Sequence, residues 1–265
     1  MKLRLLRYSI LAGVGALSST AWAESQEEEL AKQLANPVAA LISVPFQLNY
    51  DQNLGADGNG SRWILNVQPV IPFELTNDWN LISRTILPIA SIVGSFPGSG
   101  FENGLGDTVQ SLFLSPKKPS AGGWIWGAGP VFLLPTSTDN SLGLGAWGAG
   151  VTGVALKQQG PWTYGGLTNH IWDIDGDTDI SQTFLQPFIS YTNSNAWTFT
   201  INTESTYDWE NKQWSVPING VVTKVTQLGD QLISVGGGIR YSADGPVIGP
   251  EGWGARLVVT FLFPK

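Results

Sequence analysis

The sequence predicts an all-β fold, a transmembrane antiparallel β-barrel of about twelve strands with a short N-terminal helix. Three observations point there. Apolar and polar residues alternate with period two in runs of about 10–13 residues. Globular strands usually have about 5–6, and about 9–11 tilted residues cross a bilayer. The runs begin and end on large aromatics, among them Trp63 and Phe73, Trp197 and Tyr207, and Trp253 and Phe263. Only 13% of residues are charged, against 12 Trp, 11 Phe and 32 Gly, and where two faces can be told apart the charges keep to one of them.

Residues 1–23 have the form of a secretory signal peptide. Lys2, Arg4 and Arg7 precede a short apolar run, Tyr8 to Leu17, and the A-x-A site Ala21-Trp22-Ala23. The run is too short for a transmembrane anchor, which needs about 20 residues. Without this segment the chain keeps 11 of its 14 Lys+Arg and all 21 Asp+Glu, a net charge of −10. That acidity, with no basic patch beyond Lys117-Lys118, argues against nucleic acid as a partner. The chain has no cysteine. An exported fold of this size then needs another source of closure, and a barrel supplies it by having no sheet edge.

Residues 24–39 read as a periplasmic or plug segment. Glu27, Glu28 and Glu29 sit where the helix dipole favours carboxylates, Leu30 and Leu34 share one face, and Pro37 stops the chain, so a helix is expected over 26–35. Residues 40–265 are the barrel. Its runs fall at 40–50, 62–74, 79–88, 105–115, 123–134, 142–157, 161–171, 180–192, 196–208, 213–224, 231–241 and 252–263. The Gly-rich runs 123–134 and 142–157, and 161–171 after them, show no clear division of faces. Long connections such as Asp51–Gly60 and Ile89–Gly104 alternate with short ones such as Thr76-Asn77-Asp78 and Asn193-Ser194-Asn195. Outer-membrane barrels show this alternation, with short turns in the periplasm.

In the run 196–208, Trp197, Phe199, Ile201 and Tyr207 point one way, while Thr198, Thr200, Asn202 and Glu204 point the other. A soluble ligand-binding β-barrel would turn the apolar face inward. Aromatics at both ends and a carboxylate in mid-strand favour lipid outside and a wet lumen inside. On that reading Arg62, Arg84, Asp107, Glu204, Arg240 and Arg256 line the lumen. The partners expected are outer-membrane lipid and lipopolysaccharide outside, and a small-molecule solute within.

The segments E-L-A-K-Q-L-A-N-P-V-A-A-L-I-S-V-P-F-Q (29–47), N-L-I-S-R-T-I-L-P (80–88), G-L-G-D-T-V-Q-S-L-F-L-S-P (104–116), G-A-G-P-V-F-L-L-P-T (127–136), N-H-I-W (169–172) and R-L-V-V-T-F-L-F-P-K (256–265) resemble a known family. It is the bacterial outer-membrane family linked to the meta pathway of phenol degradation, often labelled "transporter" or, misleadingly, "neuromedin U". The resemblance implies an outer-membrane channel or transporter for small molecules, tilted toward aromatic or hydrophobic compounds.

Other motifs carry less. G-L-G-A-W-G (143–148) matches a dinucleotide fingerprint in letters but lies within strand-like sequence, where small residues pack closely. Asp173, Asp175, Asp177 and Asp179 form a candidate loop cation site, without the EF-hand spacing. His170, the only histidine, is the one candidate base for an outer-membrane lipid hydrolase, with Asn169 and a neighbouring serine. No nucleophile motif accompanies it. No catalytic residue, metal or cofactor is expected.

Overall fold

The structure is a computed structural model, and it describes residues 26–94, 100–176 and 178–264. The segment read as a signal peptide lies outside the described residues.

Among the described residues one helix, α1 (residues 26–34), precedes fifteen strand segments. They are β1 (Ile42–Leu54), β2 (Gly60–Val67), β3 (Val70–Glu74), β4 (Trp79–Val93), β5 (Phe101–Leu105), β6 (Thr108–Pro116), β7 (Trp124–Leu134) and β8 (Trp147–Gln159). After them come β9 (Trp162–Asp175), β10 (Ser181–Thr192), β11 (Trp197–Thr203), β12 (Ser205–Asp208), β13 (Gln213–Leu228), β14 (Gln231–Asp244) and β15 (Gly252–Phe263). The pairs β2/β3, β5/β6 and β11/β12 are single strands with an interruption, so the wall has twelve strands. Every neighbour is antiparallel, and β1 pairs β15 from Ile42↔Phe263 to Tyr50↔Ala255, which closes the barrel.

The interruptions have local causes. Between β2 and β3 lies Pro69, which has no N–H to donate. The register is nonetheless held, because Gln68 N–H donates to the Pro45 carbonyl at 2.8 Å and Thr85 N–H to the Pro69 carbonyl at 3.1 Å. Between β5 and β6 the register does change. Ile89 pairs with Leu105 but Ile86 with Val109, so three steps along β4 face four on its partner. The extra residue makes a β-bulge at Gly106-Asp107.

Alternation then sorts the side chains. Trp197, Phe199 and Ile201 stand on the outer surface, Ile201 at 61% exposure, while Thr198 is buried on the inner side. All eleven tryptophans of the described residues are exposed on the outside. They fall into two belts. Trp79, Trp124, Trp126, Trp162 and Trp197 ring the end that carries the short turns, called here the near end. Trp63, Trp147, Trp172, Trp209, Trp214 and Trp253 ring the far end. Cross-strand rings support each belt, as with Trp79 and Trp126 at 5.8 Å near, and Tyr50 and Trp63 at 4.6 Å far. At the near end Lys157 and Lys224 lie over Trp124 and Trp197, at 4.9 and 5.6 Å. Indole rings and long cationic stems concentrate at membrane interfaces in this way. A closed twelve-stranded wall with an apolar outside and two aromatic girdles is an outer-membrane barrel, and the soluble alternative, which needs the apolar face inside, does not stand.

The interior is not uniformly wet. Inward Ile82, Phe113, Val154, Leu156 and Leu167, on β4, β6, β8 and β9, pack into a dry cluster with Val38. A second inward cluster, Val131, Leu133, Ala146, Ile171 and Ile180, closes the far end of the same side. The strands whose faces the sequence leaves unresolved are these, because β7, β8 and β9 meet apolar surroundings on both sides. The polar bore is therefore eccentric, displaced toward β10–β15, β1 and β2.

Candidate functional site

The inward charges converge on that polar side. Asn49 and Asp51 alternate inward on β1, and Asp51 is only 2% exposed. Asp51 Oδ2 accepts from Arg62 Nε at 2.9 Å, across the Asp51↔Arg62 pair, and its Oδ1 accepts from Arg240 Nε at 3.0 Å. Arg256, opposite Asn49 in the register, donates from Nε to Asn49 Oδ1 at 2.8 Å. Its two terminal nitrogens grip Glu204 in a fork, at 3.0 and 2.7 Å. Arg240 also bonds Asn49 at 3.1 Å and approaches Glu204 to 3.7 Å. Such bidentate charge-assisted pairs fix geometry as well as energy. Glu204 lies between β11 and β12, and its partner lies on β15 beyond β13 and β14, so this link passes through the interior. Arg84, on β4, donates to Gln68 Oε1 at 3.2 Å.

Of the six residues read from the sequence as lumen-lining, Arg62, Glu204, Arg240 and Arg256 are joined in one inner arc, and Arg84 stands on the inner face of β4 within electrostatic reach of Glu204. Asp107 does something else. Set at the bulge, its carboxylate accepts from Ser137 N–H at 3.1 Å and Leu144 N–H at 2.6 Å, fastening the 135–146 loop. In the same loop Asp139 is held below the ordinary carboxylate range by the Ser141 backbone N–H first and its hydroxyl second. Sequence reasoning missed Asp51, placing it in a loop. Its signal was the unbroken parity Gln47, Asn49, Asp51.

Below the arc, residues 26–41 cross the near mouth. On α1, Leu30 and Ala31 are buried with Leu41, Ala196, Val225 and Leu262, and Leu34 packs against them. Gln158 Nε2, on β8, donates to the Lys32 carbonyl at 2.8 Å. Asn36 Oδ1 accepts from Val38 N–H at 3.0 Å, turning Val38 into the dry cluster, before the chain enters β1. Between this segment and the arc lies a cavity of about 260 Å³, bounded by Leu34, Asn36, Val70, Arg84, Phe188 and Arg256 among others.

The remaining candidates are dispersed. Asp173 Oδ1 accepts from Ile180 N–H at 2.9 Å, and Asp177 lies outside the described residues. Among the described residues no three acidic or histidine side chains meet as metal ligands. His170 faces outward, opposite Val151, and stacks on Trp172 at 4.1 Å. Its Nδ1 lies 2.7 Å from Thr183 Oγ1, which accepts from Trp209 Nε1 at 2.8 Å. The oxygen beside the imidazole belongs to threonine, and Asn169 alternates to the opposite face. No triad is assembled there.

No protein-family model matches the chain, and no curated protein matches it. Solved structures do. The COG4313 outer membrane channel from Pseudomonas putida F1 superposes with a TM-score of 0.65 at 16% identity, over 84% of this chain and 94% of that one. The KdgM porin in complex with disordered oligogalacturonate gives 0.46 at 11% identity, over 84% and 99%. The outer membrane phospholipase A of Escherichia coli gives 0.47 at 10%, over 84% and 92%. At these identities the likeness concerns the fold, and the fold is that of the bacterial outer-membrane β-barrel.

Proposed function

We propose that the protein is an outer-membrane channel for small molecules, stoppered at its periplasmic mouth by residues 26–41. The observation that carries this reading is the eccentric polar bore, in which an Arg–carboxylate arc faces a chamber closed below by α1. Charged rings in a bore screen solutes by size and charge. In this reading Arg62, Arg84, Glu204, Arg240 and Arg256 are the screen, Leu30 and Leu34 seat the plug, and Asp107 holds the far loop. The resemblance to the phenol-degradation family agrees with it and tilts the solute toward aromatic or hydrophobic compounds.

Single-channel conductance in planar bilayers tests the proposal, comparing the mature chain with one lacking residues 24–36. The expected result is rare or small openings for the mature chain and steady conductance after truncation. Silence from both proteins sinks the channel. The rival, lipid hydrolysis with His170 as base, lacks a serine at the imidazole. His170→Ala is expected to leave the truncated channel's conductance unchanged. Neither protein is expected to release fatty acid from phospholipid vesicles.

A further inference from the structure

We infer that the chamber above α1 is a binding site for a small organic monoanion, whose acidic group is held by Arg84 and whose apolar body rests against Val70, Phe188 and Val258. The inference rests on the channel reading and names the class of solute it favours.

Among the described residues, Arg62, Arg240 and Arg256 make contact ion pairs with Asp51 and Glu204, and Arg84 makes none. Both carboxylates are committed, Asp51 to Arg62 and Arg240, and Glu204 to the fork of Arg256. Arg84 is the guanidinium without a carboxylate in contact, and Glu204 attracts it only from beyond ion-pair distance. Arg84 takes part in none of the ion pairs among the described residues, and one neutral amide oxygen, Gln68 Oε1 at 3.2 Å, is its hydrogen-bond partner. A guanidinium carries five N–H donors in a planar fork that matches a carboxylate. A cation withdrawn from bulk water calls for a counter-charge.

The cavity supplies the place for one. Arg84 lines it together with Gln68. Val70 is paired with Arg84 across β3 and β4, so an apolar wall begins beside the cation. Phe188, which like Val70 packs against the dry cluster, and Val258 also line the cavity, and Ser43 and Thr200 add hydroxyls. The volume of about 260 Å³ lies just below the ~300–1,000 Å³ of pockets for drug-sized ligands, which restricts the occupant to a small molecule. Arg256 also borders the space, but Asn49 and Glu204 occupy its nitrogens. A guanidinium on the wall with no carboxylate in contact favours a ligand that carries one negative charge.

The test uses the mature chain in detergent micelles, with benzoate as the probe and benzyl alcohol as its neutral counterpart, titrated by calorimetry. Saturable one-to-one binding of benzoate is expected, with benzyl alcohol at least tenfold weaker. Arg84→Gln is expected to weaken benzoate at least tenfold and leave benzyl alcohol unchanged, with Arg84→Lys between. Thr200→Trp fills the chamber while keeping Arg84 and is expected to abolish binding; it serves should Arg84→Gln lose the heat-dependent gel shift of a folded barrel. Absence of benzoate binding, equal binding of benzyl alcohol, or wild-type affinity in a folded Arg84→Gln overturns the inference. The conductance assay separates the two claims. Benzoate binding by a protein silent in bilayers supports the site and removes the channel. Conductance without benzoate binding does the reverse.

Discussion

At the scale of single residues, the arc is held by Asp51. Its two oxygens serve two different guanidiniums, and Arg240 is itself buried. Removing one partner of a buried ion pair strands the other, a loss of about 3–5 kcal/mol. Asp51→Asn keeps the shape and one acceptor oxygen. A loss toward the lower limit, about 3 kcal/mol, is therefore expected, read as a lower urea midpoint for unfolding from vesicles. Arg62 is more open to water than Arg240, so Arg62→Gln is expected to cost less than half as much. Equal costs for the two variants would mean that the arc does not hang on Asp51. Asn219 adds a neutral contact nearby, donating to Asn202 Oδ1 at 2.8 Å while 0% exposed.

At the scale of elements, β14 carries Gly236, Gly237 and Gly238 on the approach to Arg240. A Cβ at Gly238 would collide with the Gly220 carbonyl oxygen of β13, and one at Gly236 with the Val222 carbonyl oxygen. The strands approach so closely there that no side chain fits between them. Gly238→Ala is expected to cost about 1–3 kcal/mol by overpacking, whereas Gly153→Ala, whose Cβ would meet only the Gly127 carbonyl oxygen at an ordinary contact of 3.9 Å, is expected to be near neutral. Gel mobility against temperature separates the two. Elements also show what could be read from the sequence. Period two gave twelve runs that reappear as the twelve wall strands, and in β11 the sorting Trp197/Thr198/Phe199 holds side chain by side chain. The faces of β7 to β9 could not be read, since Val151 meets lipid while Val154 and Leu156 meet a dry cluster, and hydrophobicity cannot distinguish those surroundings. The loop contacts of Asp107 were out of reach for another reason. A single extra residue shifts the parity of everything beyond it, and nothing in G-L-G-D-T-V announces where it is inserted. The arc was legible residue by residue through its arginines, but not through the counter-ion that joins them.

At the scale of the whole molecule, the fold is defined by which solvent each face meets, and neighbouring residues of one strand can test that directly. Leu257 and Val258 lie midway along β15. Leu257 is 60% exposed on the outer wall, and Val258 borders the inner chamber. In a membrane barrel, an arginine on the lipid face at mid-bilayer costs about 2–4 kcal/mol. Leu257→Arg is therefore expected to destabilise the folded barrel in vesicles by that amount. Val258→Arg places the same group at a polar chamber already bordered by Arg84 and Arg256, and is expected to cost less than Leu257→Arg, a repacking cost with like-charge repulsion added. In a soluble barrel the order would invert, because Leu257 would meet water and Val258 a sealed core. The comparison does not depend on what the channel passes or whether it is open. It uses two substitutions one residue apart, with the same strand, the same depth and the same incoming side chain, so that differences in strand propensity and unfolded-state exposure largely cancel. A larger cost for Val258→Arg than for Leu257→Arg would refute the placement of lipid outside and water within, and the arc, the plug and the chamber would lose their meaning as parts of a bore.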